Sequence, residues 1–148
     1  MQDISLHILD IAENAIRADA GTIHIEITED EKKDRMMIRI TDDGTGMDSE
    51  TVQKVLDPFF TTKNGKRVGL GLSLLQQAAE QTGGELVVDS REGEGTCITA
   101  VFIRSHPDMK PLENVIETMA ALIAGYPARR FIYDYKNGDD SFHYDTSQ

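Results

Sequence analysis

The stretch "TIHIEITEDEKKDRMMIRITDDGTGM", residues 22–47, decides the fold. Ile23, Ile25 and Ile27 alternate with polar neighbours, "MMIRIT" at 36–41 repeats the pattern, and a period of two marks a strand with one face buried. The charged "DEKKD" between them reads as a hairpin connection, with Lys32 and Lys33 at a solvated tip. Two half-buried strands are therefore predicted, and "DDGTG" falls just past the second.

Upstream, "LHILDIAENAIRA" at 6–18 carries a helical stripe of Ile4, Ile8, Leu9, Ile11, Ala12, Ala15 and Ile16, with Asp3 placed to cap its start and Gly21 its end. Downstream, Asp48 or Ser49 caps a short helix through Leu56, stopped by Pro58. "TTKNGKR" at 61–67 has no periodicity and contains Asn-Gly, so it reads as a mobile loop. "LSLLQQAAEQT" resumes helical spacing up to Gly83 and Gly84, and "ELVVDS", "REGEG" and "TCITAVFIR" form a second hairpin. Past His106 come an amphipathic helix, "PLENVIETMAALIAG", and an aromatic-rich hairpin around Asn137 and Gly138. This order predicts an α+β sandwich of two layers, a mixed and mostly antiparallel sheet with helices on one face. Residues 1–105 form the expected main domain, and 106–148 a C-terminal helix and β-hairpin appendage.

A chain of 148 residues suits one domain with one core. Its net charge of −11 repels phosphate backbones and anionic lipid, so no nucleic acid and no membrane surface is expected as a partner. The lone Cys97 excludes an internal disulfide framework and a cysteine-rich zinc site. No apolar run approaches the roughly 18 residues of a spanning helix. A soluble, cytoplasmic protein is expected.

Four stretches carry chemistry. "DIAENA" offers Asp10 and Asn14 one helical turn apart, hence on one face, where a cation or water could sit. "DDGTG" sets an acid beside two glycines after a strand, "GLGL" opens a helix, and "GEGT" begins the last strand of the main fold. Glycines admit close approach of a ligand to backbone, and a Gly-rich turn into a helix presents N–H groups to phosphate. Each stretch alone has a plainer reading: a solvated helix face, a tight turn, or close helix packing. The spacing matches neither a GxxxxGK[ST] phosphate loop nor a dinucleotide fold, which needs a strand directly before the glycines.

In this order, with a lid-like loop between the second and third, the four stretches resemble the N, G1, G2 and G3 boxes of the GHKL ATPases, the superfamily of gyrase, the heat-shock chaperone, histidine kinases and the mismatch-repair protein MutL. The resemblance spans roughly residues 1–104, and "DPFFTTK" before "GLGLSL" is most similar to the histidine-kinase branch. It implies that Asn14 ligates Mg²⁺ on ATP, that Asp42 accepts a hydrogen bond from the adenine amino group, and that Thr96 supports the same end. It implies too that Gly44 and Gly46 let the backbone pass the base. Gly69, Leu70 and Gly71 would offer N–H groups to the phosphates, with Lys63 and Arg67 as counter-charges and Phe59 and Phe60 anchoring the lid or the core. Two departures stand out: Asp10 is one methylene shorter than the glutamate general base of the gyrase-like branches, and Arg67 occupies a position where the G2 box usually has glycine. No phosphoacceptor motif surrounds His7, His24, His106 or His143, so these and Cys97 read as structural and the acceptor is expected on a separate protein, as for the small anti-sigma kinases. Phosphoryl transfer in trans is the implied activity. An ATP-dependent interaction switch without turnover, or a slow ATPase with Asp10 as general base, is the alternative. Phe131, Tyr133, Tyr135, Phe142 and Tyr144 form either a partner or homodimer surface or part of the core.

Overall fold

A computed structural model describes residues 4–57, 70–109, 112 and 114–147. The alternation in the two isoleucine strands settles the architecture. In β1 (Thr22–Asp30) the side chains of Ile23, Ile25 and Ile27 are buried and in β2 (Arg35–Asp42) those of Met36, Ile38 and Ile40, while the residues between them are half-buried or exposed. Opposite them, α1 (Ile4–Arg17) turns Ile4, Ile8 and Ile11 inward. Each such side chain withdrawn from water contributes roughly 1.5–3 kcal/mol.

The remaining elements are α2 (Ser49–Val55), α3 (Leu70–Gln81), β3 (Glu85–Arg91), β4 (Gly95–Ile103), α4 (Val115–Gly125), β5 (Arg130–Asn137) and β6 (Asp140–Asp145). The strands make one sheet in the order β3-β4-β2-β1-β5-β6. β1 pairs with β5 in parallel, and the other described pairings are antiparallel. This is the mixed α+β sandwich that the strand and helix order predicts. Leu75 of α3 and Leu122 of α4 share one core with Phe102 of β4 and Phe131 of β5.

Residues past 106 thus enlarge the same sheet and bury part of the same core. The hairpin's aromatics divide between the two readings: Phe131 and Tyr133 are buried, Tyr135 is half-buried, and Phe142 and Tyr144 are about half exposed on β6. Tyr126, which ends α4, donates a hydrogen bond to Glu13 Oε2 (2.9 Å), tying this segment to the helix that carries Asn14.

Two helix ends differ in how well their chemistry shows in sequence. α3 stops as expected, with Gly83 at φ +88° and the Gly84 N–H bonded back to Ala79. α1 is not ended by Gly21. Asp19 takes the left-handed conformation (φ +64°), its N–H bonds Ile16, and the Ala20 N–H bonds Ala15, closing the same double turn that glycine usually makes. Gly21 instead donates its N–H to Asp43 Oδ1. Asp48, rather than Ser49, caps α2 by accepting the Thr51 N–H at 2.7 Å. The expected cap Asp3, together with Phe59, Phe60 and the loop 61–67, lies outside the described residues.

Candidate nucleotide site

At the end of β2 the strand register puts Asp42 beside Thr96 of β4, and α1 passes Asn14 over the same end. Between them lies a cavity of about 450 Å³, within the range typical of small-ligand sites. Its walls include apolar Ile11, Ala15, Met47, Leu72 and Ile98, and Asn14, Asp42 and Thr96 bring polar groups to it. Apolar walls with a few placed hydrogen-bonding groups suit a flat base that must be told from its relatives by its edge. A slightly larger hollow, about 500 Å³, lies near Glu29, Asp34, Arg104 and Met109 and holds none of the four motifs.

Asp42 Oδ1 accepts the Gly44 N–H at 2.8 Å, and Asp42 lines the cavity. Burial and the neighbouring Asp43 charge raise the Asp42 pKa above the ordinary aspartate value, against the hydrogen bonds from the Gly44 and Thr96 backbone. Asp43 is engaged elsewhere. Its Oδ1 accepts the N–H groups of Gly21 and Thr22 at 2.8 and 2.9 Å, and its pKa is lowered mainly by the Thr22 bond. The two adjacent acids of "DDGTG" therefore play different parts, one facing the cavity and the other fastening the start of β1.

Thr96 is buried, and its hydroxyl meets Ser90 Oγ at 2.7 Å. Ser90 also bonds the Gly95 carbonyl (3.1 Å) and the Met47 N–H (2.8 Å), so one hydroxyl joins three sides of the cavity rim. No sequence motif marks Ser90. Its signal is the register: Ser90 is opposite Thr96 in the β3–β4 pair, a relation visible only once the hairpin is aligned.

Of the predicted site residues, Asn14, Asp42, Gly46 and Thr96 line one cavity and Gly44 is held against Asp42. Asp10 and Gly71 meet each other: the Gly71 N–H donates to Asp10 Oδ2 at 2.8 Å, so this carboxylate caps the first turn of α3. A Cβ on Gly71 would lie 2.3 Å from that oxygen, which explains the glycine. Leu70 opens α3. Lys63, Arg67 and Gly69 lie outside the described residues.

Asn14 Oδ1 accepts a hydrogen bond from the guanidinium of Arg17, a residue absent from the predicted site although it also lines the cavity. An amide oxygen is a hard donor of the kind Mg²⁺ accepts, and an ion that takes most of its shell from phosphates and water needs few protein ligands. Asn14 offers one such oxygen, shared with the Arg17 guanidinium, and fits as a single protein ligand of an ion held mainly by phosphates and water.

Fold and cavity together define an α+β domain built to take a small ligand at the open end of its central strands. Comparison with known proteins gives that class a family. Residues 2–106 match the family of histidine kinase-, DNA gyrase B- and HSP90-like ATPases. The chain belongs to this family and is a histidine-kinase-like, ATP-binding ATPase domain. It is 39% identical over 84 residues to the sensor kinase CckA of Brucella abortus, covering 56% of this chain and 9% of that protein. It is 39% identical over 94 residues to the sensor histidine kinase ZraS of Salmonella typhimurium, covering 62% and 20%. Sporulation kinase E of Bacillus subtilis is 36% identical over 90 residues, covering 60% and 12%. The chain thus spans a fifth or less of the length of these relatives. The ATPase domain of Aquifex aeolicus MutL, complexed with ADP, shares the fold with a TM-score of 0.58 at 16% identity, over 91% of this chain and 60% of that one. Among the described residues, no helix is long and apolar enough to cross a membrane.

Proposed function

We propose that the chain binds ATP with Mg²⁺ in the cavity between α1 and the end of β2 and passes the γ-phosphoryl group to a residue of a separate protein in the cytoplasm. The observation that carries this reading is the convergence of Asn14, Asp42 and Thr96, from three separate elements, on one cavity of nucleotide size. In this reading the Asp42 carboxylate accepts from the adenine amino group, Thr96 and its Ser90 partner support that edge, and Gly44 and Gly46 let the backbone lie against the base. The phosphates run toward Asn14 and the first turn of α3; the Gly71 N–H there is already given to Asp10 Oδ2, so the expected phosphate donors are the N–H groups of Gly69 and Leu70, with Lys63 and Arg67 as the expected counter-charges in a chain of net charge −11. Bound Mg²⁺ would neutralise charge on the phosphates. The chain's own part is to orient the phosphates in line with an acceptor, whose bond to the γ-phosphorus forms as the bond to the β–γ bridging oxygen breaks and ADP leaves. Phe142 and Tyr144, exposed on β6, are the aromatics open to a partner.

A second reading, an ATP-dependent interaction switch without turnover, is favoured by the contact of Gly71 with Asp10. Through it the start of α3 is fastened to the helix carrying Asn14, so nucleotide bound against one helix would be felt in the other. Radiolabelled ATP incubated with the protein and the products of adjacent genes separates the two. A labelled partner supports transfer; intact ATP recovered after long incubation, with partner affinity that depends on nucleotide, supports the switch. Two variants assign Asp10. Asp10→Asn keeps an oxygen for the Gly71 N–H but cannot accept a proton, so an anchoring role leaves nucleotide binding and turnover near wild type. Asp10→Ala loses the cap as well, with a stability loss of about 1 kcal/mol. If Asp10→Asn alone abolishes phosphate release while binding persists, Asp10 is the general base of an ATPase.

A further inference from the structure

On the sheet face opposite the helices, the register gathers four residues that the nucleotide site does not use. Glu26 of β1 and Asp134 of β5 are partners in the parallel pair, His143 of β6 is opposite Asp134, and His24 lies two residues before Glu26, hence on the same face. His24 Nε2 is 2.6 Å from Asp134 Oδ2 and 4.0 Å from Glu26 Oε1. One ligand atom from each of the three lies within 4.8 Å of the others, and all three residues are half-buried. His143 Nδ1 bonds the other Asp134 oxygen at 2.5 Å.

We propose that His24, Glu26 and Asp134 bind a borderline divalent metal ion of the zinc class, with His143 as a positioning residue that orients the Asp134 carboxylate. Three observations support it. First, one imidazole and two carboxylates are the ligand types zinc takes, whereas a lone amide oxygen such as Asn14 suits magnesium, so the two ions are sorted by chemistry. Second, tetrahedral zinc with bonds of about 2.0–2.2 Å sets its ligand atoms about 3.3 Å apart. The His24–Asp134 and His24–Glu26 separations bracket that spacing, and small side-chain rotations close the difference. Third, Glu26 and Asp134 set two carboxylates side by side across adjacent strands, an arrangement that a cation between them would favour beyond what the two imidazoles on Asp134 supply. Arg39, the β2 partner of Glu26, directs its guanidinium to Thr99 and Met37 instead, and Lys136 lines the neighbouring hollow.

For Nε2 of His24 to ligate the ion, the ring proton sits on Nδ1. A ligating carboxylate held by a further hydrogen bond is the usual outer support of such sites, which is the part His143 takes. Three protein ligands leave a fourth position, and a hollow of about 280 Å³ beside Asp134, Phe142 and His143 has room there for water or a donor from another molecule. The ion would join β1 to the terminal hairpin.

The test is calorimetric titration of the full chain with ZnCl₂ in a non-chelating buffer containing excess Mg²⁺, with Co²⁺ absorption as a second readout. Saturable binding of one equivalent and a cobalt spectrum typical of four-coordination are expected. His24→Ala and His24→Gln should each weaken binding at least about tenfold, and His143→Ala by about 10–100-fold, the usual loss when an outer partner is removed. His106→Ala, elsewhere on the chain, should bind as wild type does. Far-UV circular dichroism checks that each variant is folded. No saturable heat in the wild type, or unchanged affinity in folded His24→Gln, overturns the proposal.

Discussion

Asp42→Asn is expected to weaken ATP binding by about 10–100-fold while leaving the ligand-free protein at least as stable at neutral pH. Both halves follow from the same carboxylate. One oxygen is taken by the Gly44 N–H, so an asparagine keeps its carbonyl there and turns its NH₂ toward the adenine amino group. Two donors then face each other. Losing a hydrogen bond to a charged group costs about 1.5–3 kcal/mol, which gives that range. GTP should bind poorly to the wild type, because guanine sets an acceptor against the same carboxylate.

The stability half rests on the raised pKa of Asp42. The folded protein holds this proton more tightly than the unfolded chain, so the associated stability is fully present below the ordinary aspartate value of 3.8 and is lost as pH rises through the higher folded value. Above that window the ionised group is a burden which asparagine does not carry. Thermal melts with and without ATP at ten times its dissociation constant read both effects: the wild type should gain about 1.4 kcal/mol, and the variant little of it. A variant that keeps the full ATP shift would place the base elsewhere; one that melts lower without nucleotide would mean that Asp42 is a structural acid.

What the sequence made legible depended on whether the information was local. Alternation at Ile23, Ile25 and Ile27 is a property of one strand, and it marks the buried sheet face directly. The four ordered motifs are likewise readable, and all four reach the cavity, through Asn14, Asp42, Leu72 and Thr96. Partnerships between strands are not readable. Nothing in "RFIYDY" says that it lies parallel to β1, because that pairing is set by the whole sheet. Ser90 and the cluster of His24 with Asp134 escape sequence reasoning for the same reason, since each depends on a register between segments distant in sequence. Asp19 escapes it for a different one: a non-glycine residue at positive φ is a local strain, held by the two hydrogen bonds that close the turn.

Gly46→Ala is expected to cost about 2–5 kcal/mol of folding free energy, and Gly93→Ala only about 1–2. The two glycines share a left-handed backbone, at φ +69° and +79°. That conformation alone costs a side chain roughly 1–2 kcal/mol. They differ in surroundings. A Cβ on Gly93 meets nothing within 4 Å, whereas on Gly46 it would lie 1.9 Å from the Arg91 carbonyl oxygen, a backbone atom that cannot rotate away. Nor can the segment easily move as a unit. The Thr45 N–H is bonded to Ala18 O (2.8 Å) at the end of α1, and Thr45 O accepts the Gly93 N–H (2.6 Å) from the β3–β4 turn. The forced shift adds an overpacking term of about 1–3 kcal/mol. For a chain of this length the variants should melt roughly 10 °C and 3–5 °C below wild type. Since Gly46 also lines the cavity, Gly46→Ala should lose more of the ATP-induced shift than Gly93→Ala. Equal melting temperatures would show that the strap from α1 to the β3–β4 turn yields freely, and that the glycines of "DDGTG" are kept for the ligand alone.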